Sequence, residues 1–507
     1  MSGDRTGDQV HSGGDDVEHA DPKEGLLLEG VVSVSGTEKQ LTLKHDCLVF
    51  GSQITGESAV KKKDLCLTWP DVICAVKDVQ SKSGSQLDSF RLHYIHHQNN
   101  NTLQVQSLRV TTKNGEVDKW ISGINEKCQK VSGRPKKAFV IINPIGGSKT
   151  ALKTYQKKVA PLFELAGIHT TVQATERSKH ALELGEHQDF SGYDVIVIVG
   201  GDGLYHEVLQ GFTLRTQKEA EIDYDNPDAI YMKPKIPFAI IPAGTGNGLA
   251  RYSNGTLNQV TAALNIIRGE NHKAQVLTVH NCGKFVTLCG ALFGYGSFSY
   301  ATKRSEELRW MGRARYGYTI FAMLFRKSRR FNCSIEYRVA DNDETQDLSH
   351  SSSAASAKKS EWIAYTSKDG NPSNFFCSTC EHILDKNQYI LDPFGSSIDI
   401  LMEFGAGLIN FIKSMLTYSF GKNATQPLPE KVDMLTRITG FRIRLNSDAT
   451  DVESHSRERV RDRELEHILN VDGEIVHVDI PDVDIRVCSE FVSLYGCRKV
   501  PGSTKDT

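Results

Sequence analysis

The chain has 507 residues, of which 39% are hydrophobic, and its formal net charge is −2. That length predicts roughly two to four domains with packed cores. The near-neutral charge argues against a nucleic-acid partner, because nucleic-acid binding usually needs a strongly basic face.

The start of the chain predicts a disordered tail over residues 1–23, which are polar, rich in glycine and poor in aromatics. Residues 1–22 also lack the apolar segment of a secretory signal, so we expect a cytoplasmic protein with reduced thiols. Cys377 and Cys380 have no second cysteine pair nearby, which favours two ordinary thiols over a zinc site.

Residues 24–131 form a first predicted domain, made of short β-type runs followed by a helical stretch that carries Trp120. This order resembles a pleckstrin-homology domain, which would bring the protein to a membrane surface. Lys61, Lys62 and Lys63 are then candidates for binding phosphoinositides. A solvated basic loop is the alternative interpretation of these lysines.

Residues 135–275 form a second predicted domain, in which continuous apolar runs end in glycine-rich turns. The runs are AFVIINP (138–144), VIVIVGGDG (195–203) and AIIPAGTGNG (239–248). Runs that are apolar on both faces are typical of buried parallel strands. Helical stretches over 150–166 and 204–212 lie between them, so the pattern predicts an α/β nucleotide-binding layer.

Residues 276–498 return to strand-like runs and predict a mainly antiparallel β-sandwich domain. Two polar stretches, near 341–359 and 447–464, are predicted to be disordered insertions. Residues 407–420 have apolar positions at helical spacing, which fits either a core-facing helix or a helix that touches lipid. No run reaches the ~18–20 apolar residues that cross a bilayer, so any membrane association should be peripheral.

The most informative turn is the tract from Val199 to Glu207, where an apolar strand runs into Gly200, Gly201, Asp202 and Gly203 and a helix then begins. Glycines let a backbone approach phosphates closely, and a helix N-terminus offers free N–H groups to an anion. Asp202 could accept a proton from an incoming hydroxyl or help to hold Mg²⁺. The structural alternative is an aspartate that caps the helix.

Two similar turns follow the neighbouring predicted strands, at residues 143–148 and 242–248. Three glycine turns on adjacent parallel strands would line the edge of the sheet at which ligands of open α/β sheets bind. The sequence has neither a G-x-x-x-x-G-K-[ST] loop nor a G-x-G-x-x-G turn with an acidic residue about twenty positions later. We therefore expect a phosphate cradle of another type.

In their order along the chain, the NPxGG, GGDG and PAGTGN turns resemble the diacylglycerol kinase catalytic family. The tract from Gly203 to Val208, the segments 305–306 and 309–316, and the tract 470–474 narrow this resemblance to the sphingosine and ceramide kinase branch. The segments 158–176 and 211–229 are most similar to ceramide kinases. The resemblance implies a nucleotide-binding domain followed by a lipid-binding β domain, and an ATP- and Mg²⁺-dependent lipid kinase.

The resemblance also implies roles for individual residues. Asp202 would be the catalytic base, with an indirect contact to magnesium through Mg-ATP. Arg309 and Arg315 would clamp the phosphates, although surface ion pairs are the alternative. The residues implied around the nucleotide are Asn143, Pro144, Gly146, Gly147, Thr175, Gly200, Gly201, Gly203, Glu207, Gly244, Thr245, Gly246, Asn247, Arg309, Arg315, Asp472 and Glu474. Asp472 and Glu474 could instead belong to a solvated hairpin turn.

The implied lipid-substrate residues are Phe298, Tyr300 and Thr302. Residues 298–304 contain no acid, whereas sphingosine kinases carry acidic residues there, one of them placed to meet the amine of the sphingoid base. Two cations in this stretch would repel an amine but not the neutral amide of ceramide, which favours ceramide as the acceptor. A sphingosine kinase and a catalytically silent lipid-binding adaptor stay open, since Gln275 also replaces an aspartate usual in the family.

Overall fold

The structure is a computed structural model, and it describes residues 26–52, 64–78, 89–98, 101–112, 115–147, 149–312, 314–324, 331, 333–340, 361–367, 370, 372–379, 383–385, 388–390, 397–404, 431–445, 467–478 and 482–497. Several predicted features lie outside the described residues, namely the tail 1–23, Lys61–Lys63, the insertions 341–359 and 447–464, the helix 407–420, and Cys380. The chain divides into two compact units, which are Met1–Tyr94 with Gln106–Lys130, and Ile95–Val105 with Val131–Thr507.

The smaller unit is built on a seven-stranded sheet in the order β4-β3-β2-β1-β7-β6-β5, with one helix after it. Its elements are β1 (Leu26–Val34), β2 (Thr37–Lys44), β3 (Cys47–Ser52), β4 (Leu65–Thr68), β5 (Val72–Lys77), β6 (Ser89–Gln98), β7 (Thr102–Thr112) and α1 (Val117–Gln129). The tips of β6 and β7, residues 95–105, group with the larger unit.

Helix α1 is fixed to the sheet of the smaller unit by one aromatic and one amide side chain. Trp120 is 1% exposed and packs against the strand at Gly30, where an added Cβ would lie 3.3 Å from its ring. Asn125 accepts a hydrogen bond from Ala75 N–H at 2.8 Å and donates to Ala75 O at 2.9 Å. The predicted order of strands followed by a Trp-bearing helix is therefore present.

The larger unit begins with a parallel layer in the strand order β9-β8-β10-β11. Its elements are β8 (Lys137–Ile142), α2 (Ala151–Thr154), a π-helical turn (Tyr155–Val159), α3 (Ala160–Leu165), β9 (His169–Ala174), α4 (His180–His187), β10 (Val195–Gly200), α5 (Asp202–Glu219), β11 (Phe238–Pro242), α6 (Gly248–Asn254) and α7 (Gln259–Arg268). Every residue of β10 is buried, as expected for a strand covered on both faces.

The rest of the larger unit is strand-rich and includes two further helices packed near each other. Its elements are β12 (Asn271–Asn281), β13 (Lys284–Cys289), β14 (Leu292–Gly296), α8 (Ser297–Glu307), α9 (Ala314–Leu324), β15 (Cys333–Val339), β16 (Ile363–Tyr365), β17 (Asn374–Ser378), β18 (Ile383–Asp385), β19 (Gln388–Ile390), β20 (Ile398–Glu403), β21 (Val432–Leu445), β22 (Ile468–Val471), β23 (Glu474–His477) and β24 (Asp482–Tyr495). Within the described part of the chain, no helix is both long and apolar enough to cross a membrane.

The parallel and antiparallel strands belong to one mixed sheet, whereas the sequence predicted a separate β-sandwich. Strand β24 joins the two parts: it pairs in parallel with β11 at Leu494 and antiparallel with β12 and β21. This return of the chain was not visible in local periodicity, because β11 and β24 are more than two hundred residues apart.

Two apolar cores lie along this sheet. The first packs helix α5, through residues such as Tyr205 and Val208, against the parallel strands. The second contains Phe293, Phe375 and Phe441 from the antiparallel strands. Burying each such side chain contributes ~1.5–3 kcal/mol, so the two cores stabilise the parallel and the antiparallel parts of the sheet.

Candidate functional site

The three glycine turns meet at the carboxyl ends of β8, β10 and β11, as the sequence predicted. Ala243 N–H donates to Gly200 O at 2.9 Å, and Asn143 N–H donates to Val199 O at 3.3 Å. A Cβ added at Gly244 would lie 2.7 Å from Gly201 N, and one at Gly147 would lie 2.9 Å from Gly244 C. The turns therefore approach so closely that side chains would not fit between them.

Two asparagines hold the outer turns in shape with their side-chain amides. Asn143 Oδ1 accepts hydrogen bonds from Ile145 N–H at 3.1 Å and Gly146 N–H at 2.8 Å. Asn247 accepts from Gly244 N–H and donates to Gly244 O, both at 2.9 Å. Both residues were predicted to lie around a nucleotide, and in the structure they fix the backbone of the turns.

Asp202 is the first residue of helix α5 and lies between two of the glycine turns. Its carboxylate accepts from Gly248 N–H at 2.8 Å and from Leu249 N–H at 3.1 Å, at the start of α6. The structural alternative thus applies in part, since Asp202 caps a helix, but that helix is α6 and not its own. Burial raises the pKa of the Asp202 carboxyl, and the charge of Asp472 raises it further.

Glu207 lies on the same helix and, like Asp202, caps the N-terminus of another helix. Its carboxylate accepts hydrogen bonds from the backbone N–H groups of Lys179 and Ala181, at the start of α4. Burial and the nearby Glu474 raise the pKa of Glu207. Glu474 itself reaches the first turn of α5, where its Oε1 lies 3.2 Å from the position of a Cβ added at Gly203.

Asp472 is buried, which differs from the solvated hairpin turn offered as an alternative. It occupies the two-residue turn between β22 and β23 with φ of 55°, followed by Gly473 at 86°. Its carboxylate accepts from the N–H groups of Gly290, Ala291 and Leu292 at 2.7, 2.7 and 2.8 Å. Its neighbour Glu474 is exposed, and the position of both residues near a nucleotide stays a prediction.

His206 completes the environment of Asp472, with its Nδ1 placed 2.8 Å from Asp472 Oδ2. Its Nε2 lies 3.1 Å from Thr287 Oγ1, and Thr287 lies 2.8 Å from Gln210 Oε1. Burial lowers the pKa of His206, but the Asp472 carboxylate more than offsets this, so the net pKa is raised. The same pairing lowers the pKa of Asp472 in spite of its burial.

Helix α8 carries the predicted lipid-substrate residues and packs beside β14 and β22. Thr302 Oγ1 accepts from Asn470 Nδ2 at 2.7 Å, and Ser299 Oγ donates to Gly294 O at 3.0 Å. Tyr300 is half-buried. The side chain of Phe298 lies outside the described residues. Asn470 lies two residues before Asp472 in the sequence. Its hydrogen bond to Thr302 therefore connects α8 to the strand that leads into the Asp472 turn.

The two predicted phosphate-clamping arginines are only partly described. Arg315 pairs with Glu306 at 3.6 Å, but its side chain is only 12% exposed, so this is not the surface ion pair given as the alternative. The side chain of Arg309 lies outside the described residues. Gln275, at the position of a family aspartate, is buried and donates to Thr379 O and Ser397 O, both at 3.2 Å.

The remaining predicted residues lie on or next to the three turns. Thr175 is buried, and its N–H donates to Ile142 O at 2.8 Å, directly after β9. Pro144 is half-buried and Thr245 is exposed. An added Cβ at Gly246 would lie 3.5 Å from Asp202 Oδ2. The edge of the sheet therefore brings these positions together around a surface of backbone and small residues.

Whether this site fits a magnesium-bound polyphosphate depends on the surface that the three glycine turns form. Among the described residues, no three His, Cys, Asp or Glu side chains are grouped so that they could hold a metal ion by themselves. In phosphoryl transfer Mg²⁺ is bound by the substrate phosphates together with one or two carboxylates. A narrow cradle of glycine turns with Asp202 at its rim fits this mode of binding.

Sequence reasoning missed the residues behind the cradle, above all the buried His206 and Thr287 and the half-buried Gln210. His206 and Gln210 follow Asp202 at intervals of four on α5, so they share one face of the helix. Their spacing was the sign in the sequence from which His206 and Gln210 could have been found. It could not identify Thr287, which comes from another strand.

Comparison with known proteins finds similarity to lipid kinases over part of the chain. Residues 137–279 match the diacylglycerol kinase catalytic domain. Human ceramide kinase is 38% identical over 200 residues, which is 39% of this chain and 37% of that protein. Sphingosine kinase 1 of Arabidopsis thaliana is 36% identical over 189 residues, or 36% of each chain.

Two other similarities extend over more of the chain. The human ceramide kinase-like protein is 26% identical over 474 residues, covering 87% of this chain and 82% of that protein. A solved diacylglycerol kinase structure from Bacillus anthracis aligns with 72% of this chain and 98% of its own, with a TM-score of 0.46 and 15% identity. The matches to human ceramide kinase and the plant sphingosine kinase thus span little more than a third of those proteins.

Proposed function

We propose that this chain, whose residues 137–279 match the diacylglycerol kinase catalytic domain, is an ATP-dependent lipid kinase. The acceptor is the primary hydroxyl of a sphingolipid, with ceramide favoured over sphingosine. The observation that carries the proposal is the meeting of three glycine turns beside Asp202 at the edge of the parallel sheet. Similarity to human ceramide kinase and to the plant sphingosine kinase supports the choice of lipid class.

The glycine turns bind the nucleotide phosphates in this proposal. Backbone N–H groups and the N-terminus of α5 supply partial positive charge, and the absence of Cβ atoms lets the phosphates approach the backbone. Mg²⁺, when bound to the phosphates, neutralises charge that develops on the transferred group. Asn143 and Asn247 keep the outer turns in position through their side-chain hydrogen bonds.

Asp202 accepts the proton of the lipid hydroxyl. Its raised pKa makes it a better proton acceptor than an exposed aspartate, and the N–H groups of Gly248 and Leu249 hold the carboxylate in one orientation. Positioning and charge stabilisation supply most of the acceleration in phosphoryl transfer, so one oriented base is sufficient.

The charges on α8 favour a neutral acceptor. The acids of this helix, Glu306 and Glu307, pair with Arg315 and Arg304 respectively. The stretch that precedes them contains Tyr300, Lys303 and Arg304 but no acid. A protonated sphingosine amine would find no carboxylate partner in that stretch, whereas the amide of ceramide carries no charge that needs one. The proposal includes peripheral association of a cytoplasmic protein with a membrane. The smaller unit is the candidate for that contact, and phosphoinositides are its candidate ligands.

The test is phosphoryl transfer by the purified full chain from labelled ATP, with Mg²⁺, to ceramide in mixed micelles. We expect labelled ceramide phosphate from the wild type and a loss of roughly 100-fold or more with Asp202→Asn, at saturating ATP. Nucleotide affinity is measured for both proteins, because the asparagine keeps only one acceptor for the α6 N–H groups. An absence of labelled lipid with bound ATP would refute the proposal and favour a silent lipid-binding adaptor.

A further inference from the structure

With the Gln210 amide oriented so that Oε1 faces Thr287, the chain of hydrogen bonds from Asp472 through His206 and Thr287 to Gln210 has one arrangement of protons. Thr287 has a single hydroxyl hydrogen, and its nearest acceptors are Gln210 Oε1 at 2.8 Å and Leu288 O at 3.2 Å. Because both are acceptor oxygens, Thr287 donates to one of them and accepts from His206 Nε2. His206 Nδ1 must in turn donate to the carboxylate of Asp472. Both ring nitrogens of His206 therefore carry hydrogen.

This network joins three segments that are distant in sequence. His206 lies one turn after Asp202 on α5, and Thr287 lies on β13. Asp472 forms the turn before Glu474 and accepts three backbone N–H groups of the segment 290–292. The imidazolium is thus the link between the helix that carries Asp202 and the hairpin that carries Glu474.

The position of Glu474 depends on that link. Its Oε1 is placed against the first turn of α5, near Gly203, and its charge raises the pKa of Glu207 on the same helix. Asp202, Glu207, Asp472 and Glu474 bring four carboxylates to one region. His206 balances the most deeply buried of them, since Asp472 and His206 are 2% and 9% exposed at their side chains.

We propose that His206 and Thr287 are positioning residues for phosphoryl transfer, which hold Glu474 and Asp202 in register across the glycine cradle. The inference rests on the proposed kinase function and assigns to it two residues that touch neither phosphate nor lipid. A displacement of about 1 Å in such a site reduces turnover ~100-fold, so loss of the link acts on kcat. The affinities for ATP and lipid depend on the turns and on α8 and stay nearly unchanged.

The experiment uses two matched pairs of variants in the full chain. His206→Asn keeps a donor towards Asp472, whereas His206→Leu keeps none. Thr287→Ser keeps the hydroxyl, whereas Thr287→Val has the same shape without it. Lys218→Gln serves as a control on the same helix, because Lys218 forms an exposed pair with Glu186. For each protein kcat, both KM values and the melting temperature are measured.

We expect kcat to fall roughly 100-fold in His206→Leu and about 10-fold in His206→Asn and Thr287→Val, with KM values within about twofold of the wild type. Thr287→Ser and Lys218→Gln should retain the wild-type kcat. Rescue by serine but not by valine would not follow from a role in stability alone.

The inference is overturned if Thr287→Val and His206→Asn, corrected for the folded fraction, turn over like the wild type. It is also overturned if melting temperature falls while kcat per folded molecule does not. The Thr287 pair decides the question even where His206→Leu does not fold, since it removes only one hydroxyl. If the wild type labels no lipid, the proposed function and this inference fail together, whereas active wild type with active variants refutes the inference alone.

Discussion

Substitution of Gly244 by alanine tests the glycine cradle with one methyl group. The added Cβ would lie 2.7 Å from Gly201 N and 3.0 Å from Gly246 O, and real Cβ atoms essentially never approach within 3.0 Å of another heavy atom. The obstructing atoms belong to the backbone, so no side chain can rotate away. The turns must separate by several tenths of an ångström, and overpacking of this kind costs ~1–3 kcal/mol.

The expected result is a loss of nucleotide affinity of roughly 5- to 150-fold, equivalent to the overpacking cost of ~1–3 kcal/mol. Binding is measured by titration with a fluorescent ATP analogue, and folding is checked by thermal melting. Gly192→Ala is the matched control, since no heavy atom lies within 4 Å of its added Cβ. Wild-type affinity in a folded Gly244→Ala protein would refute the assignment of the cradle.

Three further predictions concern stability and membrane contact. Asp472→Asn should destabilise the chain by about 3–5 kcal/mol in denaturant unfolding, because it leaves the His206 imidazolium buried beside a neutral group; a change below about 1 kcal/mol would contradict the buried pair. Because folding raises the pKa of His206, protonated His206 stabilises the folded state below about pH 6.5, and this contribution is lost as pH rises through the folded-state pKa. The free energies of unfolding of wild type and His206→Asn should therefore differ less near pH 9 than near pH 6. Deletion of residues 1–130 should reduce activity on vesicles more than on detergent-dispersed lipid. Equal losses of activity on both would argue against membrane docking. They would instead fit the loss of the hydrogen bond from Leu103 N–H to Thr261 Oγ1 in the larger unit.

The parallel layer was predictable because its signals are local. The run from Val195 to Gly200 is apolar at every position, and the structure buries each residue in a central strand. The turns that follow these strands were expected at one edge of the sheet because the carboxyl ends of parallel strands share an edge. Their mutual contact at Gly201 and Gly244 follows from that geometry.

The features that sequence did not predict depend on contacts between distant segments. An exposed Asp-Gly turn was the alternative to a position of Asp472 near the nucleotide, and neither interpretation anticipated that its carboxylate would be buried against N–H groups about 180 positions earlier. Glu207 was expected near the nucleotide, which stays a prediction, but nothing in the sequence indicated that its carboxylate would also cap α4. Local patterns do not report which helix N-terminus or which strand will receive a carboxylate, since that depends on the completed packing.

The most direct test of the central claim is a competition between acceptors within one preparation. The full chain is incubated with ATP and Mg²⁺ in micelles that contain equimolar ceramide, sphingosine and diacylglycerol, and the phosphorylated lipids are quantified by mass spectrometry. The account predicts ceramide phosphate as the main product, because residues 298–304 contain no acid and the two acids that follow on α8 are paired with arginines, so the amine of sphingosine has no carboxylate partner there. A predominance of sphingosine phosphate or of phosphatidic acid would contradict it.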